Sequence, residues 1–145
     1  MKKYFSIPAI VSAILLGLLL YTGISKLQRH NDFLLALAAS PLLKQHAGWL
    51  SRAVPVTELV IAALLFFPAT RQKGMYAALL LLTVFTGYLT WMLQQQAPLP
   101  CSCGGFIEAL SWPQHLLFNT ALLAVTVTTI LLNKRKDKRK ERPPT

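Results

Sequence analysis

The chain of 145 residues is long enough for one domain and leaves no room for a separate soluble catalytic domain. Hydrophobic residues make up 54% of the chain and are gathered in long runs. A soluble domain of this size would instead interleave apolar and polar residues to form amphipathic helices or strands. The net charge of +10 does not indicate a nucleic-acid-binding surface, because seven of the fifteen Lys and Arg residues lie in the last twelve positions. A basic tail behind a hydrophobic run suits contact with anionic lipid instead.

Four hydrophobic runs are candidate membrane spans, since a helix of roughly 20 residues crosses the hydrocarbon core of a bilayer. Helices are expected because the runs lack the period-two alternation of membrane barrel strands. The second run is short and contains both Pro55 and Glu58. We predict an all-α fold, namely a four-helix transmembrane bundle in a membrane domain of residues 1–133, with spans at about 7–27, 53–68, 75–93 and 115–132.

The segments outside the spans have two different compositions. Between the first two runs, the chain is polar at its start and then largely apolar, with an interruption at Pro41, which predicts one or two short helices lying in the outer membrane interface. His30 and His46 are then expected at the lipid headgroups. Behind the fourth run, residues 134–145 are dominated by Lys and Arg, and we predict that they form a disordered basic cytoplasmic tail.

The distribution of basic residues around the spans predicts the orientation of the chain. With the N-terminus inside, eleven Lys and Arg residues face the cytoplasm and four face the opposite side. We therefore predict that both termini are cytoplasmic and that the loop 94–114 lies outside the cytoplasm. The first run extends about 18 residues, beyond the roughly 7–15 of a signal peptide, so we expect it to remain as an anchor.

Cys101 and Cys103 carry the strongest chemical signal, and they are the two cysteines of the chain. In an oxidising compartment such close thiols tend to pair, and the following Gly104 and Gly105 allow the sharp turn that pairing needs. A ring this short adds little entropic stabilisation, which favours a reversible dithiol over a structural crosslink. A small structural disulfide, and half of a zinc site completed by histidine, remain as alternatives.

Glu58 is the second signal, because a charge near the middle of a membrane helix costs about 2.5–3.5 kcal/mol. Lys26 lies near the outer end of the first span at a comparable depth, so we expect a Lys26–Glu58 pair beneath the cysteine loop. The pair could carry or stabilise a proton during thiol chemistry. Equally, it could be a structural ion pair that locks the first two spans together.

The start of the fourth span carries a third cluster. Ser111 and Pro113 suit the cap and the first turn of a helix. Trp112 suits an interfacial anchor, with contact to a cysteine thiolate or a quinone as the alternative. His115 and Asn119 share one helix face because they are four residues apart. If that face turns inward, the two residues could contact a cysteine thiolate or a quinone head. If it turns outward, they are polar residues at the membrane edge.

In this order along the chain, these features resemble the MauE branch of the DoxX-like membrane proteins, over roughly residues 3–133. The resemblance implies a four-helix bundle that is needed for the maturation of disulfide-bonded exported proteins, in the named case a methylamine dehydrogenase subunit. It does not fix the substrate of this chain. The matching elements are Gly23-Ile24-Ser25-Lys26-Leu27 at the end of the first span, Pro55 with Glu58 in the second, and the Cys-x-Cys-Gly loop before Trp112.

The predicted function is that of a membrane redox protein in the bacterial inner membrane. Cys101 and Cys103, on the periplasmic or outer side, would exchange with thiols and so support disulfide maturation of exported proteins. Expected partners are the lipid bilayer and a thioredoxin-like or exported thiol protein, and we expect neither nucleic acid nor a metal.

Whether the chain is itself an enzyme stays open, and the class it would belong to is thiol–disulfide oxidoreductase. Two alternatives accompany this prediction. One is a non-enzymatic membrane assembly factor whose loop disulfide is structural. The other is a DoxX-type oxidoreductase subunit, for which a quinone would be the cofactor.

Overall fold

The computed structural model of the protein describes residues 6–94 and 112–143. Throughout these two ranges the regular structure is helical, without a strand. This confirms the predicted all-α class. In chain order the elements are α1 (Ile7–Gln28), α2 (His30–Ala39), a 3-10 turn (Lys44–His46), α3 (Ala47–Phe66), α4 (Arg71–Gln94) and α5 (Trp112–Glu141).

Four of these helices are long and apolar enough to cross a membrane, judged by length and composition. They are α1, α3 together with the turn before it, α4 and α5. The short helix α2 stands between the first two spans in the chain, as the sequence predicts. The predicted bundle of four spanning helices with one short helix is therefore the observed architecture.

The second span is longer than the sequence predicts, because α3 covers Ala47–Phe66 and the prediction begins at residue 53. The polar residues that delay the predicted start are accommodated within the helix. Ser51 is buried and its hydroxyl donates a hydrogen bond to the carbonyl of Gly48 (2.9 Å), while Arg52 is exposed. Pro55 lies inside the helix and is buried, although it offers no backbone donor there.

The last helix also differs from its prediction, since α5 continues to Glu141. Residues 134–141, for which disorder is predicted, are thus helical. Lys, Arg and Glu are good helix formers, and residues 134–141 contain no proline, the next one being Pro143. A helix that is already formed in the membrane is therefore propagated into its basic continuation.

The four spanning helices form a closed ring. α1 packs most extensively on α3, α3 packs on α4, α4 on α5, and α5 returns to α1. Because successive spans run in opposite directions, the bundle has two distinct ends. The loop end contains Gln28, Ala47, Gln94 and Trp112, and both ends of the segment 95–111 are attached there. The turn end contains Ile7, Phe66 and Arg71.

An apolar core fills the bundle toward the turn end, where α3 and α4 approach each other closely. A Cβ atom added at Gly74 would lie 2.9 Å from the backbone nitrogen of Leu65, so only glycine fits there. Thr70 fixes the turn by donating its hydroxyl to the carbonyl of Leu64 (2.9 Å). The buried residues of this core are Val11, Leu15, Leu19, Ile61, Ala62, Leu65, Met75, Ala78 and Ile130.

The short helix α2 covers the loop end of the bundle. Its buried residues Phe33 and Leu37 pack with Ala47 at the start of α3. Ser40 follows α2, is fully buried, and accepts a hydrogen bond from the hydroxyl of Tyr88 in α4 (2.8 Å). α2 is thereby attached to two of the spanning helices at the end where the cysteine-containing segment begins and ends.

Candidate functional site

An ion pair joins α1 to α3 inside the bundle. The Nζ atom of Lys26 donates a hydrogen bond to Oε1 of Glu58, and only 3% and 7% of the two side chains are exposed. This is the pair that the sequence predicts. Two opposite charges at this depth are tolerable because each is the other's counterion, whereas either one alone would be strongly destabilising.

A glycine on α1 brings the paired helices together. Gly23 lies one turn before Lys26 and faces α3. A Cβ atom there would be 3.2 Å from the side chain of Leu59 and 3.4 Å from the carbonyl oxygen of Pro55. Because glycine has no side chain, the two backbones approach closely enough for Lys26 to reach Glu58.

Two aromatic rings complete the surroundings of the Lys26 ammonium. The ring of Phe33, from α2, lies 5.5 Å from Nζ, and the ring of Phe85, from α4, lies 5.6 Å away. Both distances are within the range of cation–π attraction. The ring of His115, from α5, lies 6.2 Å from that of Phe85. All five α-helices therefore contribute to this site.

His115 and Asn119 are both buried on α5, with 6% and 5% of their surfaces exposed. Of the two orientations considered for their shared face, the inward one is therefore observed. Trp112 is the first residue of α5, and its side chain lies outside the part of the chain that the structure describes.

The ion pair, Phe85, His115 and Asn119 border a cavity of about 70 Å³ between the four spanning helices. Most of its wall is formed by leucine, valine and phenylalanine side chains. The polar side chains are gathered within the same wall, so the cavity combines an apolar surface with a hydrogen-bonding surface. The polar residues that line it are Thr22, Lys26, Glu58, His115 and Asn119.

Two buried polar atoms of this wall have no partner with full hydrogen-bond geometry among the described residues, although the Thr22 hydroxyl is a neighbouring donor for the Glu58 carboxylate. They are Oε2 of Glu58, which is an acceptor, and Nδ2 of Asn119, which is a donor. Such atoms are costly in a membrane interior, where no lipid group can pair with them. The cavity therefore offers an acceptor and a donor to a small polar group.

The predicted catalytic residues, Cys101 and Cys103, lie in the segment 95–111 and thus outside the described residues. That segment joins α4 to α5 at the loop end. His115 lies in the first turn of α5, close to where the segment ends, and Lys26 lies in the last turn of α1 at the same end. In residues 6–94 and 112–143, no group of three His, Cys, Asp or Glu side chains could hold a metal ion.

Sequence reasoning missed the two aromatic neighbours of Lys26. Phenylalanine is an ordinary apolar residue in a membrane protein, and neither Phe33 nor Phe85 stands in a recognisable motif. Only the packing of α2 and α4 against α1 reveals their contact with the ammonium group. Thr22 was also missed, because a threonine in a membrane helix is unremarkable until its cavity is seen.

Comparison with known proteins gives one match. The family model described as methylamine utilisation protein MauE matches residues 5–132. The matched range includes every residue of the cavity wall and both cysteines. Neither the curated proteins nor the solved structures contain a significant match to the chain.

Proposed function

The chain belongs to the MauE family, and from this premise we propose that it supports thiol–disulfide exchange during the maturation of exported proteins. It is an integral membrane protein with four apolar helices suited to the lipid bilayer. In the proposed function Cys101 and Cys103 react, and the buried cluster of Lys26, Glu58 and His115 supports them from the loop end of the bundle.

The observation that carries this proposal is that the buried ionisable groups of the described residues, Lys26, Glu58 and His115, lie together toward one end of the bundle. A scaffold alone would be as stable with apolar residues in place of the ion pair, and often more stable. Of the cluster, His115 lies on α5, one of the two helices that hold the ends of the cysteine-containing segment, and the cavity wall also includes Phe85 of α4, the other one. Intramembrane ionisable residues generally mark a functional site, and this one lies toward the end of the bundle to which the cysteine-containing segment is attached.

The bonds made and broken in the proposed reaction, and the electrons transferred, involve only the two pairs of sulfurs. A thiolate of the partner attacks one sulfur of the Cys101–Cys103 disulfide, which breaks that bond and forms a mixed disulfide. The second thiol of the partner then attacks the mixed disulfide and releases the loop as a dithiol. Two electrons and two protons have passed from the partner to the loop, and the reverse sequence oxidises the loop instead.

The proposed partner is a thioredoxin-like protein or an exported protein with free thiols. Charge placement supports an arrangement in which both termini are cytoplasmic and the cysteines face the periplasmic or outer side of the inner membrane. Disulfides persist in that compartment, whereas the cytoplasm keeps thiols reduced. The location of the cysteines and the chemistry assigned to them therefore agree.

Trapping of thiols in intact cells tests the proposal. Cells are acid-quenched and alkylated with a mass-tagging maleimide before and after brief exposure to a dithiol. Because the chain has two cysteines, the label counts the oxidised fraction directly. We expect a mixture of oxidised and reduced chain that responds to the dithiol and recovers after washout. Ser102→Ala, in the same loop, is the matched control and should behave like the unaltered protein.

Two results would separate the competing functions. A structural disulfide stays oxidised in every condition, and replacement of both cysteines by serine leaves the maturation of exported proteins intact. A quinone-linked oxidoreductase changes the absorbance of added quinone when the purified protein is supplied with a dithiol. Reversible labelling together with unchanged quinone absorbance supports thiol–disulfide exchange with a partner protein.

A further inference from the structure

The polar groups in the wall of the cavity between the four spanning helices argue against a dry interior. Empty cavities in proteins are lined by apolar groups, and this one is bordered by an ammonium, a carboxylate, an imidazole and an amide. Lipid chains offer none of these groups a hydrogen bond. The two atoms of this wall that lack a partner, Oε2 of Glu58 and Nδ2 of Asn119, favour an occupant that both donates and accepts, and water is the simplest one.

The size and the orphaned atoms of the cavity agree with water. A water molecule needs roughly 10–15 Å³ of such space and two to four polar partners. The cavity provides about 70 Å³, which is room for several waters. Its unpartnered acceptor, Oε2 of Glu58, and its unpartnered donor, Nδ2 of Asn119, are satisfied together by waters that donate to the first and accept from the second.

We propose that this cavity is a hydrated proton-transfer site, in which water bridges Glu58 and Asn119 beneath the loop end. Lys26 holds the charge of Glu58 in place, and His115 stands on the same wall close to the start of α5. In this proposal, water extends hydrogen bonding from the ion pair along the wall that also contains His115.

The role of this site in proton transfer rests on the proposed function. In each exchange step the attacking thiol loses a proton and the departing thiolate gains one, so the net proton count is unchanged. Glu58 accepts the proton through the bridging water and returns it by the same route. The presence of water in the cavity, in contrast, depends only on the arrangement of the described helices.

Water-edited solid-state NMR in lipid bilayers tests the hydration. The sample carries Cys101→Ser and Cys103→Ser, so that its outcome is independent of any thiol reaction. Magnetisation should pass from water to Thr22 and to the Asn119 amide severalfold faster than to Thr126. Thr126 is a matched control, because it is fully buried, lies off the cavity, and donates its hydroxyl to the carbonyl of Leu122 (2.7 Å).

Equal transfer rates for Thr22, Asn119 and Thr126 would show a dry cavity and would overturn the proposal. Contacts from Asn119 to a copurified organic molecule would also overturn it, because the site would then be a ligand pocket. Thr83, which is exposed on the lipid side, supplies the rate expected for a threonine in contact with acyl chains.

A second measurement tests the proton role with the cysteines present. Asn119→Leu, checked for an unchanged unfolding midpoint, should slow the reaction of the loop disulfide with a dithiol severalfold and shift its pH profile. Asn119→Ser keeps a hydroxyl and should recover most of the rate. A hydrated cavity with an unaltered rate in Asn119→Leu would refute the proton role alone. No reaction in the unsubstituted protein would refute the proposed function and leave the hydration result standing.

Discussion

The interior of the four-helix bundle is packed differently at its two ends. Toward the turn end, the interior is largely apolar, with Leu65 and Met75 almost completely buried, and its buried polar side chains are the uncharged Ser12, Thr126 and Thr129. Toward the loop end, the interior contains an ion pair and a cavity of about 70 Å³. The first arrangement is what stability alone favours, and the second is what a site for chemistry needs. The comparison therefore divides the molecule into a scaffold and a candidate site.

Breaking the ion pair should have the largest effect. We expect Lys26→Ala or Glu58→Ala to lower the free energy of unfolding by about 3–5 kcal/mol, because each leaves one buried charge without its counterion. The double variant Lys26→Met with Glu58→Leu should be close to the unaltered protein in stability. Denaturant titrations in mild detergent measure all three. If the two single variants are as stable as the unaltered protein, the pair does not hold α1 to α3.

A cavity in the scaffold should cost less and leave the chemistry intact. Replacement of a buried leucine by alanine typically lowers the free energy of unfolding by about 2–5 kcal/mol. For Leu65→Ala we expect a value at the lower end of that range, because moving a side chain from lipid into the protein gains little hydrophobic free energy. Leu80→Ala, at a position that is 67% exposed, is the control and should change little. The reactivity of the cysteines per folded molecule should be unchanged in both. A loss of cysteine reactivity in Leu65→Ala would contradict the proposed division into a scaffold and a candidate site.

Overpacking of the α3–α4 turn is the third test. Gly74→Ala places a methyl group about 2.9 Å from the backbone nitrogen of Leu65, and backbone atoms cannot yield as a side chain can. We expect a destabilisation of about 1–3 kcal/mol. Gly87→Ala in the same helix meets no atom within 4 Å and should be neutral or slightly stabilising. Equal stability of the two variants would contradict the close approach at the turn end.

Removal of the hydrogen bond between Tyr88 of α4 and Ser40, the residue that follows α2, should have the smallest effect. Tyr88→Phe deletes the hydroxyl that donates to Ser40, and we expect a loss of about 0.5–1.5 kcal/mol. Hydrogen exchange should rise in the amides of α2 and remain unchanged around Leu65. Faster exchange at both ends of the bundle would mean that the ends are one cooperative unit.

The spans and the ion pair could be predicted because membranes impose strong rules on sequence. A bilayer interior demands long apolar helices, and an isolated charge such as Glu58 demands a partner. Lys26 is the basic residue that lies within the first predicted span, at a comparable depth. The inward orientation of His115 and Asn119 was one of two predicted possibilities, because four-residue spacing fixes a shared face but not the direction in which it points.

The boundaries and the aromatic contacts could not be predicted for equally physical reasons. Hydropathy locates the apolar part of a helix, whereas α3 and α5 extend into polar sequence that still satisfies its backbone hydrogen bonds. The approach of Phe33 and Phe85 to Lys26 depends on how α2 and α4 pack, which leaves no periodic trace in the sequence. The cavity exists only between four helices and so has no signature in any one of them.

Capture of a partner by single-cysteine variants tests the central claim most directly. Cys101→Ser and Cys103→Ser each leave one thiol in the chain, and its thiolate can attack a disulfide of the partner to form a mixed disulfide and a free partner thiol. Because the chain then has no second cysteine, it cannot resolve that mixed disulfide from within. After acid quench, non-reducing gels and mass spectrometry identify the adducts. We predict that at least one single variant carries a second, thiol-containing protein that is released by reductant, and that the double variant carries none. Adducts that are absent, or that contain only a second copy of this chain, would contradict thiol–disulfide exchange as the function.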